Sequence, residues 1–198
     1  MLTCGVFDNP AGLNKKQMDK LKYIAVLLLL APTLFYGQKY STRAGLVKFE
    51  ASVQSYEEVA AENKTASARL DAATGEIAVL VPMKAFRFKV ALMEEHFNES
   101  YAETGKYPKA TFTGKIDGFD AGKLTATPQA FTISGDLTIH GKTKKITDTA
   151  KISKSGDNII VTGDFVIKPG DFDIEIPKVI SKKIAGTVSI TYSLSLNK

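Results

Sequence analysis

From Val188 to Leu196 the chain alternates strictly. Val188, Ile190, Tyr192, Leu194 and Leu196 are apolar, and Ser189, Thr191, Ser193 and Ser195 between them are small and polar. A β-strand sends successive side chains to opposite faces, so this stretch has one oily face and one wet face. A chain that repeats the pattern must fold so that the oily faces enclose an interior. The pattern recurs along nearly the whole chain after Gly37.

Eight strands are expected: Leu46 to Gln54, Thr65 to Ala72, Gly75 to Met83, Lys109 to Ile116, Ala130 to Ile139, Lys142 to Ser153, Asn158 to Ile167 and Ile184 to Leu196. A short leading strand near Lys39 to Arg43 is a further candidate. The links Ala73-Thr74-Gly75, His140-Gly141 and Ser155-Gly156-Asp157 carry tight-turn chemistry, so consecutive strands are expected to be antiparallel neighbours. Two insertions interrupt the meander. Phe86 to Glu99 places Phe86, Val90, Met93 and Phe97 at helical spacing and predicts a short amphipathic helix. Pro169 to Lys183 reads as a loop or helical turn carrying Phe172, Ile174 and Ile176.

Eight antiparallel strands, each with one oily face, fit an all-β, up-and-down barrel with a short helix and a capping loop, because closure removes exposed edges. A β-sandwich shares the alternation, but hairpin-length links favour the barrel. An outer-membrane barrel would turn its apolar face outward between aromatic girdles. Here the apolar parity is rich in glycine and alanine and shows no girdles, which favours a soluble barrel with an oily interior.

The N-terminus reads as a targeting segment rather than as part of the fold. Lys20 and Lys22 precede an apolar run from Tyr23 to Ala31, followed by Leu34, Phe35, Tyr36 and the small Gly37. That is the order of a secretory signal peptide, and the run is shorter than the roughly 20 apolar residues of a membrane-spanning helix. Residues 1–37 are therefore expected to be a cleaved signal, with 1–17 an over-extended start before Met18, and 38–198 the barrel domain. Cys4 lies before the apolar run, so the mature chain has no thiol and no disulfide. The whole chain carries a formal charge of +5; losing four lysines and two aspartates with residues 1–37 leaves +3. This mild excess, without a basic stripe interleaved with aromatics, argues against nucleic acid and allows weak attraction to anionic membranes.

The inward parity contains Ala51, Ala66, Ala68, Ala110, Gly114, Gly135, Ala150, Gly163 and Gly186, small residues where a filled core would use large ones. They could leave space walled by Phe49, Phe112, Phe131 and Phe165. On that reading, Gly135→Leu or Gly163→Leu would block the interior while sparing the fold. They could equally make room for barrel bends. The pattern by itself leaves cavity and filled core open.

The segment Gly135-Asp136-Leu137-Thr138-Ile139-His140-Gly141-Lys142-Thr143-Lys144-Lys145-Ile146 closely resembles the hallmark hairpin of the YceI-like family. So does Lys106-Tyr107-Pro108-Lys109-Ala110-Thr111-Phe112, preceded by Met93-Glu94-Glu95-His96-Phe97-Asn98. The resemblance spans Gln38 to Leu196. It implies an extended lipocalin-like barrel, exported to the periplasm, that holds a polyisoprenoid or similar long-chain lipid. The cavity lining would then be Phe49, Val79, Val81, Phe112, Phe131, Ile133, Phe165 and Tyr192 from the strands. Phe86, Met93, Phe97 and Phe172 would join them from the capping insertions. Transient membrane contact and a homodimer fit this picture.

Polar candidates are sparse. His96 and Glu99 sit three apart on the expected helix, but one pair is not a metal site, and a rim position is expected. His140 is read as a turn residue, Glu94-Glu95 as a solvated helix face, and Lys144-Lys145 and Lys182-Lys183 as solvated patches. No nucleophile elbow, phosphate loop or dinucleotide fingerprint is present. The expectation is a binding protein without catalysis, cofactor or metal. A packed barrel serving protein interaction or envelope stress is one rival. An enzyme acting on a lipid-like or quinone-like molecule, with His96 as base, is the other.

Overall fold

Every strand of the main sheet has an antiparallel partner on both sides. The computed structural model describes residues 39–54, 56–178 and 180–198. The strands are β1 (Lys39–Ser52), β2 (Ala60–Asp71), β3 (Glu76–Pro82), the two-residue β4 (Arg87–Phe88), β5 (Lys109–Ile116), β6 (Gln129–Ile139), β7 (Lys142–Ser155), β8 (Asn158–Ile167) and β9 (Ile184–Leu196). Leaving aside β4, which adds only to β2, the sheet runs β1-β9-β8-β7-β6-β5-β3-β2 and closes through β1–β2. The result is an eight-stranded, antiparallel, closed barrel of up-and-down connectivity, as the alternation predicts. The expected signal segment lies outside the described residues.

The turns follow their sequences. His140 and Gly141 both take positive φ, +51° and +74°, the backbone of a two-residue hairpin turn matched to strand twist. Gly75 and Gly156 supply positive φ, +73° and +59°, at the other two tight links. The expected leading strand and the first strand prove to be one, β1. Its register with β2 shifts between Thr42 and Gly45 and again between Gly45 and Val47, and these bulges break the period-two pattern. Gly45 sits in that bulge, where a Cβ would meet Leu194 Cδ2 at 2.6 Å and the Ala66 carbonyl oxygen at 3.0 Å.

The expected helix from Phe86 to Glu99 begins later than its spacing implies. Met83–Ala85 forms a 3-10 turn, Phe86 to Phe88 is extended, and the helix α1 is Ala91–His96, continued by a wide π turn at Phe97–Tyr101. Phe86 and Phe88 alternate with Arg87 and Lys89, so the local period there is two, and β4 pairs with Ala61 and Glu62 of β2. Glu94 is not merely part of a solvated face. Its Oε1 accepts from Arg87 at 2.9 Å and its Oε2 from the Phe88 backbone N–H at 3.2 Å, which ties α1 to β4. Glu95 is exposed.

The barrel is filled at one end and splayed at the other. At the filled end, Leu70, Ile77, Ile116, Ile133, Ile152, Ile159, Val161 and Leu196 pack with Tyr40 and with Leu124 from the loop after β5. At the other end two neighbouring strand pairs part. β2 and β3 pair only from Ser67↔Leu80 to Leu70↔Ile77, and β7 and β8 only from Lys151↔Thr162 to Ser155↔Asn158. Residues 142–150 of β7 and 163–167 of β8 therefore share no ladder pair. Side chains staple both openings. Across the first, the fully buried Asn63 donates to the Pro82 carbonyl at 2.8 Å, and its own carbonyl accepts from the Thr65 N–H at 2.8 Å. Across the second, the Tyr192 hydroxyl donates to Asp148 Oδ2 at 2.8 Å. In both cases a side-chain hydrogen bond spans the stretch where the ladder is missing.

Candidate functional site

The splayed end holds a cavity of about 480 Å³. Its wall is apolar because every strand but β2 contributes there: Phe49 from β1, Val79 and Val81 from β3, Phe88 from β4, Phe112 from β5, Ile133 from β6, Ile146 from β7, Phe165 from β8 and Tyr192 from β9. The insertions complete it with Phe86, Met93 and Phe97 on one side and Ile174, Ile176 and Ile180 on the other. Volume and lining are those of a small-molecule or acyl-chain pocket.

Ten of the twelve residues expected at the cavity lie on its wall, and Phe131 and Phe172 do not. Phe131 has the right parity but the wrong height. It lies toward the filled end of β6, packed against the plug with its ring 6.3 Å from that of Phe119. Phe172 is 2% exposed and belongs to the packing of the wall itself. Leu137 and Ile139, one turn of the pleat further along β6, line the cavity instead, with Val47, Phe88 and Ile190. Parity tells inside from outside but not how far along the barrel a residue sits.

The inward glycines do not hold open space, which overturns the expectation for Gly135 and Gly163. A Cβ on Gly135 would meet the Thr113 carbonyl oxygen, Gly114 Cα at 2.5 Å and Phe112 Cζ at 2.8 Å; one on Gly114 would meet Phe112 Cζ at 2.6 Å. Phe112 lies across these two glycines. A Cβ on Gly163 would meet Tyr192 Cζ at 2.5 Å and Asp148 Oδ2 at 2.9 Å. The glycines seat aromatic rings that then form the wall. Leucine at either position would collide with backbone or with the Tyr192–Asp148 pair. Gly186 does lie in open space, at an exposed position.

Aromatic rings gather on the side of the first insertion. The ring of Phe97 lies 5.4 Å from Phe49, 5.7 Å from Phe86 and 5.2 Å from Phe88, centroid to centroid, and Phe49 lies 5.3 Å from Phe86. Such clustered rings bury large area and hold one another in edge-on or stacked geometry.

The second insertion is fastened by His140, a turn residue as expected but not a free one. Its Nδ1 lies 3.1 Å from the Phe172 carbonyl oxygen and its Nε2 2.7 Å from Glu103 Oε2. Both partners are acceptors, so the ring makes the two bonds together when both nitrogens carry protons. The Tyr107 ring covers the imidazole at 4.2 Å. Glu103, His140 and Asp173 all have positive φ, at +42°, +51° and +55°. Lys142–Asp173 at 2.8 Å and Lys144–Asp171 at 3.7 Å add ion pairs, so Lys144 is less a free solvated group than its sequence implies. The Lys106-Tyr107-Pro108 segment and the His140-Gly141 turn, distant in sequence, thus meet where the capping turn Pro169–Phe172 is fixed.

Asp148 is the polar residue that sequence reasoning passed over. It falls on the inward parity of β7 between Ile146 and Ala150, opposite Ile133 of β6, and it lines the cavity. Its Oδ1 accepts from the Thr149 N–H at 2.7 Å and its Oδ2 from Tyr192. Burial, reinforced by Asp148 and Asp164, pushes the Tyr192 phenol far above the usual tyrosine range, so it stays protonated and donating. The signal in the sequence was an acid breaking an apolar parity. The other acidic and basic lining residues, Glu57, His96 and Lys183, are exposed. His96 and Glu99 are both exposed, and no group of three or more potential metal-ligating His, Cys, Asp or Glu residues occurs among the described residues.

Comparison with known proteins agrees with the architecture. The family model of the YceI-like domain matches residues 38–196. A polyisoprenoid binding domain from Saccharophagus degradans, implicated in plant cell wall breakdown, superposes with a TM-score of 0.70 at 18% identity, over 80% of this chain and 97% of that one. BcnA of Burkholderia cenocepacia gives 0.64 at 20% identity, over 78% and 96%. A YceI protein of Campylobacter jejuni gives 0.50 at 20% identity, over 68% and 81%. At these identities the likeness to the solved structures is one of fold. No curated protein matches the chain.

Proposed function

The chain belongs to the YceI-like domain family, and from that premise we propose that its barrel binds the hydrocarbon of a polyisoprenoid or similar long-chain lipid, without catalysis, in the periplasm. The observation that carries this reading is the cavity of about 480 Å³ walled by apolar side chains from the strands and from both insertions. Burying each methylene there contributes about 0.8 kcal/mol, so a chain threading the cavity gains affinity with length. The polyisoprenoid-binding domain of the same fold supports the choice of ligand class. A ligand-free interaction module would need this volume filled, and the barrel keeps its filling at the other end. His96, the residue an enzyme would use as base, stands at an exposed position on α1.

Export rests on the basic, apolar and small-residue order of residues 20–37, and the family match from residue 38 is consistent with cleavage after Gly37. Exchange of lipid would bring the rim, with Lys182 and Lys183, into transient contact with a membrane surface. Native mass spectrometry after mild purification tests the binding proposal. A co-purifying isoprenoid or fatty chain is expected, and an apoprotein that takes up neither overturns it. N-terminal sequencing of the mature protein tests export, and a retained Leu28 to Leu30 segment would refute cleavage.

A further inference from the structure

Among the Asp, Glu, His and Lys residues of the cavity lining, Asp148 alone is not at an exposed position. It presents a carboxylate to the cavity, with acceptor oxygens only, and forms no ion pair among the described residues. Each oxygen already accepts one protein hydrogen bond, from Tyr192 and from the Thr149 N–H, and each has lone-pair capacity left. The position is deep. Asp148 sits across from Ile133, which is 5% exposed and belongs to the plug that closes the filled end, and Ala150, next inward on β7, is fully buried in that plug. Lys183 and His96, the basic residues of the wall, are at exposed positions and form no ion pair with Asp148 among the described residues.

We propose that the cavity takes its lipid polar end first, with a hydrogen-bond donor on the ligand, a hydroxyl or an ammonium, docked on the Asp148 carboxylate beside Ile133 and the hydrocarbon running out past the Phe49–Phe97 cluster. A carboxylate or phosphate headgroup brings like charge to this site at neutral pH and is disfavoured there. A donor meeting a half-buried carboxylate makes a charge-assisted bond, stronger than a neutral one. Tyr192 is the weaker acceptor of the pair, because its hydroxyl is neutral where Asp148 carries the charge, and its ring is seated on Gly163. The inference rests on the reading of the cavity as a chain-binding site and adds which headgroup it selects and which way it points.

The test uses the mature protein and probes of one chain length: a primary alcohol, a primary amine, a carboxylate and a phosphate monoester. Titration at neutral pH is expected to favour alcohol and amine over both anions by about tenfold. Asp148→Asn, which keeps shape and removes charge, should bring that ratio close to one, while Tyr192→Phe, which leaves the carboxylate, should keep it. Equal affinity for donors and anions in the wild type, or an unchanged ratio in Asp148→Asn, overturns the proposal. If none of the probes binds the wild type, it is the chain-binding reading itself that fails. In the unmutated complex, the methylene beside the alcohol should show nuclear Overhauser contacts to the Ile133 side chain. Contacts to Ile176 or Phe97 in their place would overturn the polar-end-first orientation.

Discussion

Tyr192 on β9 reaches across β8 to Asp148 on β7, with its hydroxyl 2.8 Å from Oδ2, and it can do so because the residue it crosses is Gly163. The bond spans the stretch where β7 and β8 have no ladder, so a glycine, a phenol and an acid on three strands act as one unit.

Gly163→Ala should therefore destabilise the barrel rather than alter the cavity alone. The new methyl would press on the Tyr192 ring carbon at 2.5 Å and on Asp148 at 2.9 Å, and such overpacking costs about 1–3 kcal/mol. Urea unfolding measures it; a midpoint equal to wild type would show that the pair moves aside freely. Gly135→Leu, whose side chain would start inside backbone contact distance of Gly114, should fold worse still.

The same pair sets an alkaline limit. Tyr192 has a raised pKa in the folded protein, against about 10 in the unfolded chain, so the folded state holds its proton more tightly. That contribution is intact below about pH 10 and is lost as pH rises from there toward the folded value. Tyr192→Phe should be less stable at neutral pH, for want of the hydrogen bond, yet flatter above about pH 10. Unfolding curves along an alkaline series check both signs, and parallel curves for the two proteins would refute the assignment.

His140→Ala should free the second insertion. It leaves the buried Phe172 carbonyl without its partner and cuts the tie to Glu103, at a cost of about 1–3 kcal/mol. Hydrogen exchange should quicken in residues 169–176 ahead of the strands. Glu103→Gln, which retains an acceptor, should show a smaller effect. Uniform acceleration across the barrel in His140→Ala would mean that the fastening is not local.

Phe97→Ala should weaken chain binding with little loss of secondary structure. Phe97 contributes wall area and props Phe49, Phe86 and Phe88, and the loss of part of an aromatic's buried area is worth about tenfold in affinity. Titration with a long-chain alcohol, beside circular dichroism, separates the two; unchanged affinity would place the chain elsewhere.

Much of this was readable along the chain. The alternation from Val188 to Leu196, and its repeats, dictated strands, inward parity and hairpin neighbours, because a strand's side-chain period is a local property of the backbone. Phe49, Val79, Phe112 and Phe165 were placed inward on that ground, and they line the cavity. Local order does not give height within the barrel, so parity alone puts Phe131 in the cavity, whereas the ring packs beside the plug. Nor could it tell a glycine that leaves a void from one that seats a ring, since the ring over Gly135 comes from Phe112 on the neighbouring strand and the ring over Gly163 from Tyr192. The openings between β2 and β3 and between β7 and β8, the Asn63 and Asp148 staples and the His140 fastening all depend on residues from different strands or loops being brought within bonding distance. Closure of the sheet, and where it parts, is what only the tertiary structure decides.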